Sequence, residues 1–190
     1  MKRVKRVLAI IFGVIALNAT AQQPSKDLEN TIVMELKTGK VIIELYPQKA
    51  PLHVARIKEL AREGFYDNIV FHRVIDGFMA QTGDPTGTGM GGSTKPNLKA
   101  EFNDVKHVTG IVSMARSSNP DSANSQFFIM LAAAPSLDSQ YTAFGKVVEG
   151  MEFVNGIKKG DSARNGEVSS PDRIVSMKVA ADLEKPVQKK

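Results

Sequence analysis

Apolar and polar positions alternate in short runs along most of the chain. TIVMELK (31–37) and KVIIELY (40–46) are β-rich runs separated by Thr38-Gly39, which predicts a hairpin. Pro47 and Pro51 then bracket the start of a helix running to about Arg62. Its apolar stripe is Val54, Ile57, Leu60 and Ala61, and Gly64 supplies a stop. Residues 71–75 and 78–82 read as short strands around the turn pair Asp76-Gly77, followed by a long Gly/Thr/Pro loop over 83–97. Strands are expected at 110–115, 126–131 and 142–148, a short second helix at 150–156, and a closing strand at 173–181 after a polar loop at 158–172. Many short strands, two helices and no βαβ rhythm predict an antiparallel barrel or sandwich.

Composition narrows the chemistry. The 190 residues include no cysteine, so disulfides, thiolate nucleophiles and cysteine-ligated metals are excluded. Only His53, His72 and His107 remain as imidazole ligands, and no two have the close spacing usual in a zinc site. No metal or cofactor is expected.

Charge changes the picture of the N-terminus. Lys2, Arg3, Lys5 and Arg6 precede the apolar run VLAIIFGVIAL (7–17) and the small residues Ala19 and Ala21, and no acid occurs before Asp27. This pattern predicts a cleaved secretory signal peptide over 1–21; the alternative is an uncleaved anchor, although the run is short for a bilayer span of about 20 residues. Four of the 25 Lys and Arg lie in that segment, leaving 21 against 20 acids, a net charge of +1. A nucleic-acid partner therefore has no electrostatic motive, and no stable membrane insertion is expected after cleavage. The remaining layout is a flexible lead-in at 22–29, one domain at 30–181 and a charged, frayed tail at 182–190.

Two motifs are set aside. GTGMGG (87–92) matches G-x-G-x-x-G, but Ser93-Thr-Lys-Pro96 cannot readily start the helix that dinucleotide binding requires, so a mobile surface loop is the reading. Asp121 and Asp138 lie far apart in turn-like sequence and read as solvated or capping groups rather than an acid–base pair.

Two stretches carry candidate chemistry. In FHRVIDGFMAQTGD (71–84), strand alternation puts Phe71, Arg73 and Ile75 on one face, and Met79 with Gln81 on one face after the turn. An Arg among apolar residues is costly unless it is used, paired, or snorkels to water. In NSQFFIM (124–130), two rings adjoin a polar Gln; core filling is the simple account.

These blocks, with GIVSMA (110–115), SQFFI (125–129), LD (137–138) and FGKVVEGMEFV (144–154), closely resemble the cyclophilin family of peptidyl-prolyl cis–trans isomerases over Thr31 to Val179. The resemblance implies a mainly β fold: an eight-stranded antiparallel closed barrel capped by two α-helices, with a peptide groove on its outer surface. It implies that Arg73 is the catalytic arginine and that Phe78, Met79, Phe128 and Leu137 receive the proline ring. Gln81 matches the residue that binds peptide backbone and steadies the arginine. Ala115 and Arg116 fall where backbone groups bind the residues preceding proline, and His72 falls on a pocket-lining histidine. Ser136 stands where many members carry Trp, Tyr141 where many have a pocket His, and Arg116 where Asn is common. The missing indole implies weak cyclosporin binding at best.

The implied reaction suits these residue types. Twisting an X–Pro amide destroys its resonance and returns a lone pair to the prolyl nitrogen, against a barrier of about 18–20 kcal/mol. A fixed cationic donor binds that state selectively, and an apolar slot grips the ring. No nucleophile, base or metal is needed. The expected function is isomerisation of X–Pro bonds in proline-containing unfolded or partly folded exported polypeptides, assisting their folding in the periplasm. A proline-peptide holding module and a purely structural barrel are the alternatives.

Overall fold

The computed structural model describes residues 27–184. The expected signal peptide at 1–21, most of the lead-in and the last part of the charged tail lie outside the described residues.

Eight strands form one antiparallel sheet: β1 (Thr31–Leu36), β2 (Gly39–Leu45), β3 (Arg73–Ile75), β4 (Met79–Thr82), β5 (Ile111–Met114), β6 (Phe127–Met130), β7 (Ala143–Glu149) and β8 (Ile174–Val179). Their spatial order is β3-β4-β6-β5-β7-β2-β1-β8. Each falls within a residue or two of a run of alternating or continuous apolar residues. In the first hairpin Leu36 pairs with Gly39, so the turn residues are Lys37 and Thr38, not Thr38 and Gly39. Register shifts at Glu35/Leu36, Ile42/Ile43 and Val112/Ser113 mark irregularities that bend the sheet.

The sheet curls around one large core that includes Ile32, Met34, Ile43, Phe71, Phe127, Ile129 and Phe144, all nearly or fully buried. The expected closed barrel needs correction, because no ladder joins β3 to β8. The edges meet through an isolated bridge between Val70 and Arg173, flanked by hydrogen bonds from Phe71 N to Asp172 O and from Ile174 N to Ile69 O. Further along, β3 is covered by the polar loop: Val74 N donates to Gly166 O, Gly160 N to Val74 O, and Val168 N to His72 O. The edge groups are satisfied by loop backbone rather than by a ninth strand.

Helix α1 (Pro51–Arg62) packs against β8 and buries His53, Val54, Ile57, Leu60 and Ala61. No side chain caps it locally. Glu101 does so from a distant loop, accepting from Leu52 N at 3.1 Å and His53 N at 3.0 Å, with His53 Nδ1 at 2.6 Å. Helix α2 (Met151–Asn155) lies against β2. A third helix, the single turn α3 (Ala180–Leu183), begins where the closing strand was expected to continue. Burial of Ala180 against the domain favours this turn over strand or frayed tail.

Candidate active site

Register builds the site. Arg73 pairs with Gln81 across β3–β4, Gln81 with Phe128 across β4–β6, and Phe128 with Ser113 across β6–β5. These four side chains therefore form a row on the outer face of the sheet, while Val74, Ala80 and Ile129 form the matching row in the core. Phe71 precedes β3 and joins the core with Val74, so it does not share a face with Arg73 as strand alternation predicted. The two adjacent rings likewise divide: Phe127 fills the core, and Phe128 joins a second, outer apolar cluster with Met79, Ile111, Met130 and Ala143.

That outer cluster floors a groove of about 540 Å³. Phe78, Met79, Phe128 and Leu137 provide its apolar slot, and His72, Arg73 and Gln81 one side. Ala115, Arg116 and Tyr141 complete it, so all ten expected site residues meet in one place. Ser136 is exposed and contributes nothing to the lining.

Arg73 is held by neutral oxygens. Its Nη1 donates to Gln81 Oε1 at 3.1 Å, Nε to the Asn165 carbonyl at 2.9 Å, and Nη2 to Asn165 Oδ1 at 2.9 Å. Among the described residues no carboxylate pairs with it. A guanidinium carries five N–H donors, so two remain for a ligand. Burial lowers its pKa from the ordinary guanidinium value, and Tyr141 partly offsets this. The side chain is a preorganised cation in a partly dry cleft.

The network continues away from the cleft. Gln81 Nε2 donates to Gln126 Oε1 at 2.9 Å, and Gln126 Nε2 donates to the carbonyls of Gly89 (3.0 Å) and Gly91 (2.8 Å). Those carbonyls accept only, which sets both amide orientations in turn. The glycine-rich loop, expected to be mobile, is folded around the carboxylate of Asp84. This group is buried and accepts from Thr86 N, Thr88 N, Gly89 N, Gly91 N and Thr86 Oγ1. Burial alone would raise its pKa, but these donors hold it down at about 2. No helix follows the glycines, in keeping with the rejection of a dinucleotide site.

Behind the slot lies a buried polar triplet. His107 Nδ1 is 3.2 Å from Asp138 Oδ1, His107 Nε2 is 3.1 Å from Ser113 Oγ, and the imidazole stacks on Phe128 at 6.3 Å. Ser113 is fully buried, so no substrate reaches this Ser-His-Asp set, and its place is structural. Asp138, expected to be solvated or capping, also accepts from His107 N and Lys106 Nζ. Burial lowers the His107 pKa, against the raising effect of Asp138. Burial likewise lowers that of His72, whose ring nitrogens have no hydrogen-bond partner among the described residues; Asp84 raises it and Arg73 lowers it further.

On the opposite wall Tyr141 meets Phe128 edge to face, with centroids 5.7 Å apart, and the Arg116 guanidinium sits 4.5 Å from its ring centroid. Asn165 and Gln126 were not among the expected site residues. Gln126 stood beside the aromatic pair as a visible signal. Asn165 had none, because its loop reaches Arg73 only through tertiary docking on β3.

A curled antiparallel sheet carrying a guanidinium beside an apolar slot on its outer face defines a class of peptide-binding catalyst, and the comparisons name it. Residues 31–179 match the family described as "Cyclophilin type peptidyl-prolyl cis-trans isomerase/CLD". A probable peptidyl-prolyl cis-trans isomerase of Brucella suis is 49% identical over 185 residues, covering 92% of this chain and 94% of that protein. A peptidyl-prolyl cis-trans isomerase-like 1 of Aspergillus oryzae is 42% identical over 147 residues, covering 75% and 89%. Among solved structures, a cyclophilin from Hirschia baltica superposes with a TM-score of 0.74 at 29% identity, covering 82% of this chain and 76% of that one. A Cryptosporidium parvum cyclophilin type isomerase crystallised in the presence of the dipeptide Ala-Pro gives 0.71 at 29%, covering 78% and 98%. The chain belongs to the cyclophilin type peptidyl-prolyl cis-trans isomerases and is an enzyme of that class.

Proposed function

We propose that Arg73 is the catalytic group of this isomerase and that its clients are exported polypeptides. The observation that carries the catalytic reading is the Arg73 guanidinium beside the slot of Phe78, Met79, Phe128 and Leu137, with two N–H groups uncommitted. The slot grips the prolyl ring, and the acyl side of the amide rotates. As conjugation collapses, the nitrogen becomes pyramidal and regains a lone pair, which an Arg73 N–H then stabilises. The gain is selective because the planar ground states offer no such acceptor. A preorganised donor of this kind contributes about 3–4 kcal/mol.

Proline-containing peptides are the substrates, and the Ala-Pro dipeptide used with the Cryptosporidium parvum relative supports that class. Gln81, Ala115 and Arg116 contact the peptide, His72 and Tyr141 line its path, and no cofactor takes part. Cyclosporin is held weakly, since Ser136 offers no large surface at the rim. The basic and apolar N-terminus supports export through a cleaved signal and a periplasmic address.

The deciding measurement is cis–trans exchange of a proline peptide by wild type, Arg73→Ala and Arg73→Lys. Removal of the guanidinium is expected to slow kcat/KM by about a hundredfold to a thousandfold. Equal rates in wild type and Arg73→Ala would refute the assignment. Cell fractionation with N-terminal sequencing tests the address: a chain beginning near Gln22 in the periplasm supports it, and an intact cytoplasmic chain overturns it.

A further inference from the structure

The groove carries more positive charge than gripping proline requires. Among the described residues Arg73, Arg116 and Arg164 line it, against the single carboxylate of Glu167. Arg164 is neutralised, with Nε 3.4 Å from Asp161 Oδ2 and Nη1 3.6 Å from Glu167 Oε2. Arg73 and Arg116 differ from it. Arg116 donates from Nε and Nη2 to the Gln140 carbonyl at 3.3 and 2.9 Å, and from Nη1 to the Ser117 carbonyl at 2.8 Å. Carbonyl oxygens and the face of Tyr141 immobilise this cation without cancelling it.

Arg116 also borders a second hollow of about 560 Å³ beside the groove, walled by Gly91, Gly92, Ser93, Asn97, Ser122 and Asn124 among others. Among the described residues Arg116 is the one charged residue lining it. Three carboxylates stand nearby, and none lines either cavity. Asp84 is buried beneath the glycine loop and keeps its charge, held by neutral N–H donors; Asp121 precedes Ser122 and accepts from Ala100 N; Asp138 is paired with His107 and Lys106. Two fixed cations with no carboxylate paired to them among the described residues thus flank the path of a bound peptide.

We propose that Arg116 gives this isomerase a preference for substrates bearing an acidic side chain within about three residues of the proline. The inference rests on the isomerase reading of the groove and adds the class of substrate. A carboxylate in or beside the second hollow is attracted to the Arg116 guanidinium, whereas a lysine there is repelled. Specificity is the difference between these two affinities. A charge interaction at this partly exposed site weakens with salt.

The test uses short proline peptides carrying Glu, Gln or Lys two residues before the proline, and a second set with the same residues two after it. Turnover of the Gln peptide by wild type is read first. Its absence sinks the isomerase reading and this inference with it. With the Gln peptide turned over, a Glu-to-Lys ratio in kcat/KM of about five or more in one set is expected at about 20 mM salt, falling at least twofold at about 500 mM. Arg116→Gln is expected to bring that ratio near one, and Arg116→Lys to retain most of it. Equal Glu and Lys rates in wild type, or a ratio unchanged in Arg116→Gln, overturn the inference alone. The salt series on wild type keeps the test decisive if a variant fails to fold.

Discussion

Asn165 accepts two hydrogen bonds from Arg73, one on its own carbonyl and one on its side-chain Oδ1, both at 2.9 Å. It does so from a left-handed backbone, with φ of 54°, that turns both oxygens toward the same guanidinium. Asn tolerates this conformation better than most residues. Gly166 follows with φ of 81°, and a Cβ there would lie 2.4 Å from the side chain of Ile75, so the turn can press close to β3.

With Arg73 as the proposed catalytic group, Asn165 is expected to act as a positioning residue. Asn165→Gly keeps the left-handed backbone and the carbonyl but deletes Oδ1, freeing Arg73 Nη2. We expect kcat to fall about tenfold while KM and the melting temperature hardly move, as measured by peptide exchange and thermal unfolding. A change in KM alone would show that Asn165 acts on binding rather than on the aim of Arg73.

Gln81→Glu probes the neutrality of the guanidinium's partners. A carboxylate replacing the Gln81 oxygen at 3.1 Å would pair with Arg73 and weaken its field toward the prolyl nitrogen. It would also set an acceptor against Gln126 Oε1, which then has to flip and lose its bonds to Gly89 and Gly91. The expected outcome is a loss in kcat/KM of about tenfold or more, larger than for Gln81→Met, in the same exchange assay. Equal losses would show that a charge beside Arg73 costs no more than the missing hydrogen bonds.

The strands and α1 were legible because their apolar periods are unambiguous: Val54, Ile57, Leu60 and Ala61 can share a buried face only as a helix, and they do. The groove was legible through the resemblance rather than through pattern. Phe127 and Phe128 are identical side chains in consecutive positions, and only cross-strand register decides that one fills the core and the other the slot. Arg73 posed the same ambiguity, snorkelling or functional, and its partners from a loop some ninety positions away leave no mark in the sequence pattern. The open edge between β3 and β8 had no sequence signal. Backbone of the polar loop covers β3, and backbone–backbone bonds carry little side-chain information.

Acid titration should expose the loop around Asp84. Its folded pKa of about 2 lies below the value near 3.9 expected in the unfolded chain, so the unfolded state takes up the proton first. The resulting stabilisation, about 2 kcal/mol, is fully present above about pH 4 and disappears as pH falls toward 2. The lowered pKa values of His72 and His107 act in the same direction from about pH 6.5 downward. Urea unfolding from pH 7 to pH 3 is therefore expected to show stability falling steadily. In Asp84→Asn the segment of that loss below about pH 4 should shrink but not vanish, because Glu29, Glu59, Asp104 and Asp138 are also lowered by their partners; stability at neutral pH should be lower.

The final prediction concerns the polar triplet behind Phe128. Ser113 and His107 are buried; removing His107 leaves the Ser113 hydroxyl without a partner, and removing Ser113 strands His107 Nε2, whose Nδ1 keeps Asp138. His107→Phe retains a ring against Phe128 but orphans the Ser113 hydroxyl and the carboxylate contact of Asp138; a loss of about 2–3 kcal/mol in unfolding free energy follows. Adding Ser113→Ala to that variant removes the stranded hydroxyl, and stability should recover by about 1 kcal/mol. Catalysis separates this structural part from the chemistry. Because Phe128 floors the slot while Arg73 is held from the other side by Gln81 and Asn165, the variants should raise KM for proline peptides more than they lower kcat. A fall in kcat with KM unchanged would place the triplet in the reaction itself and overturn the structural reading. Additive stability changes in the cycle would mean that Ser113 and His107 do not depend on each other.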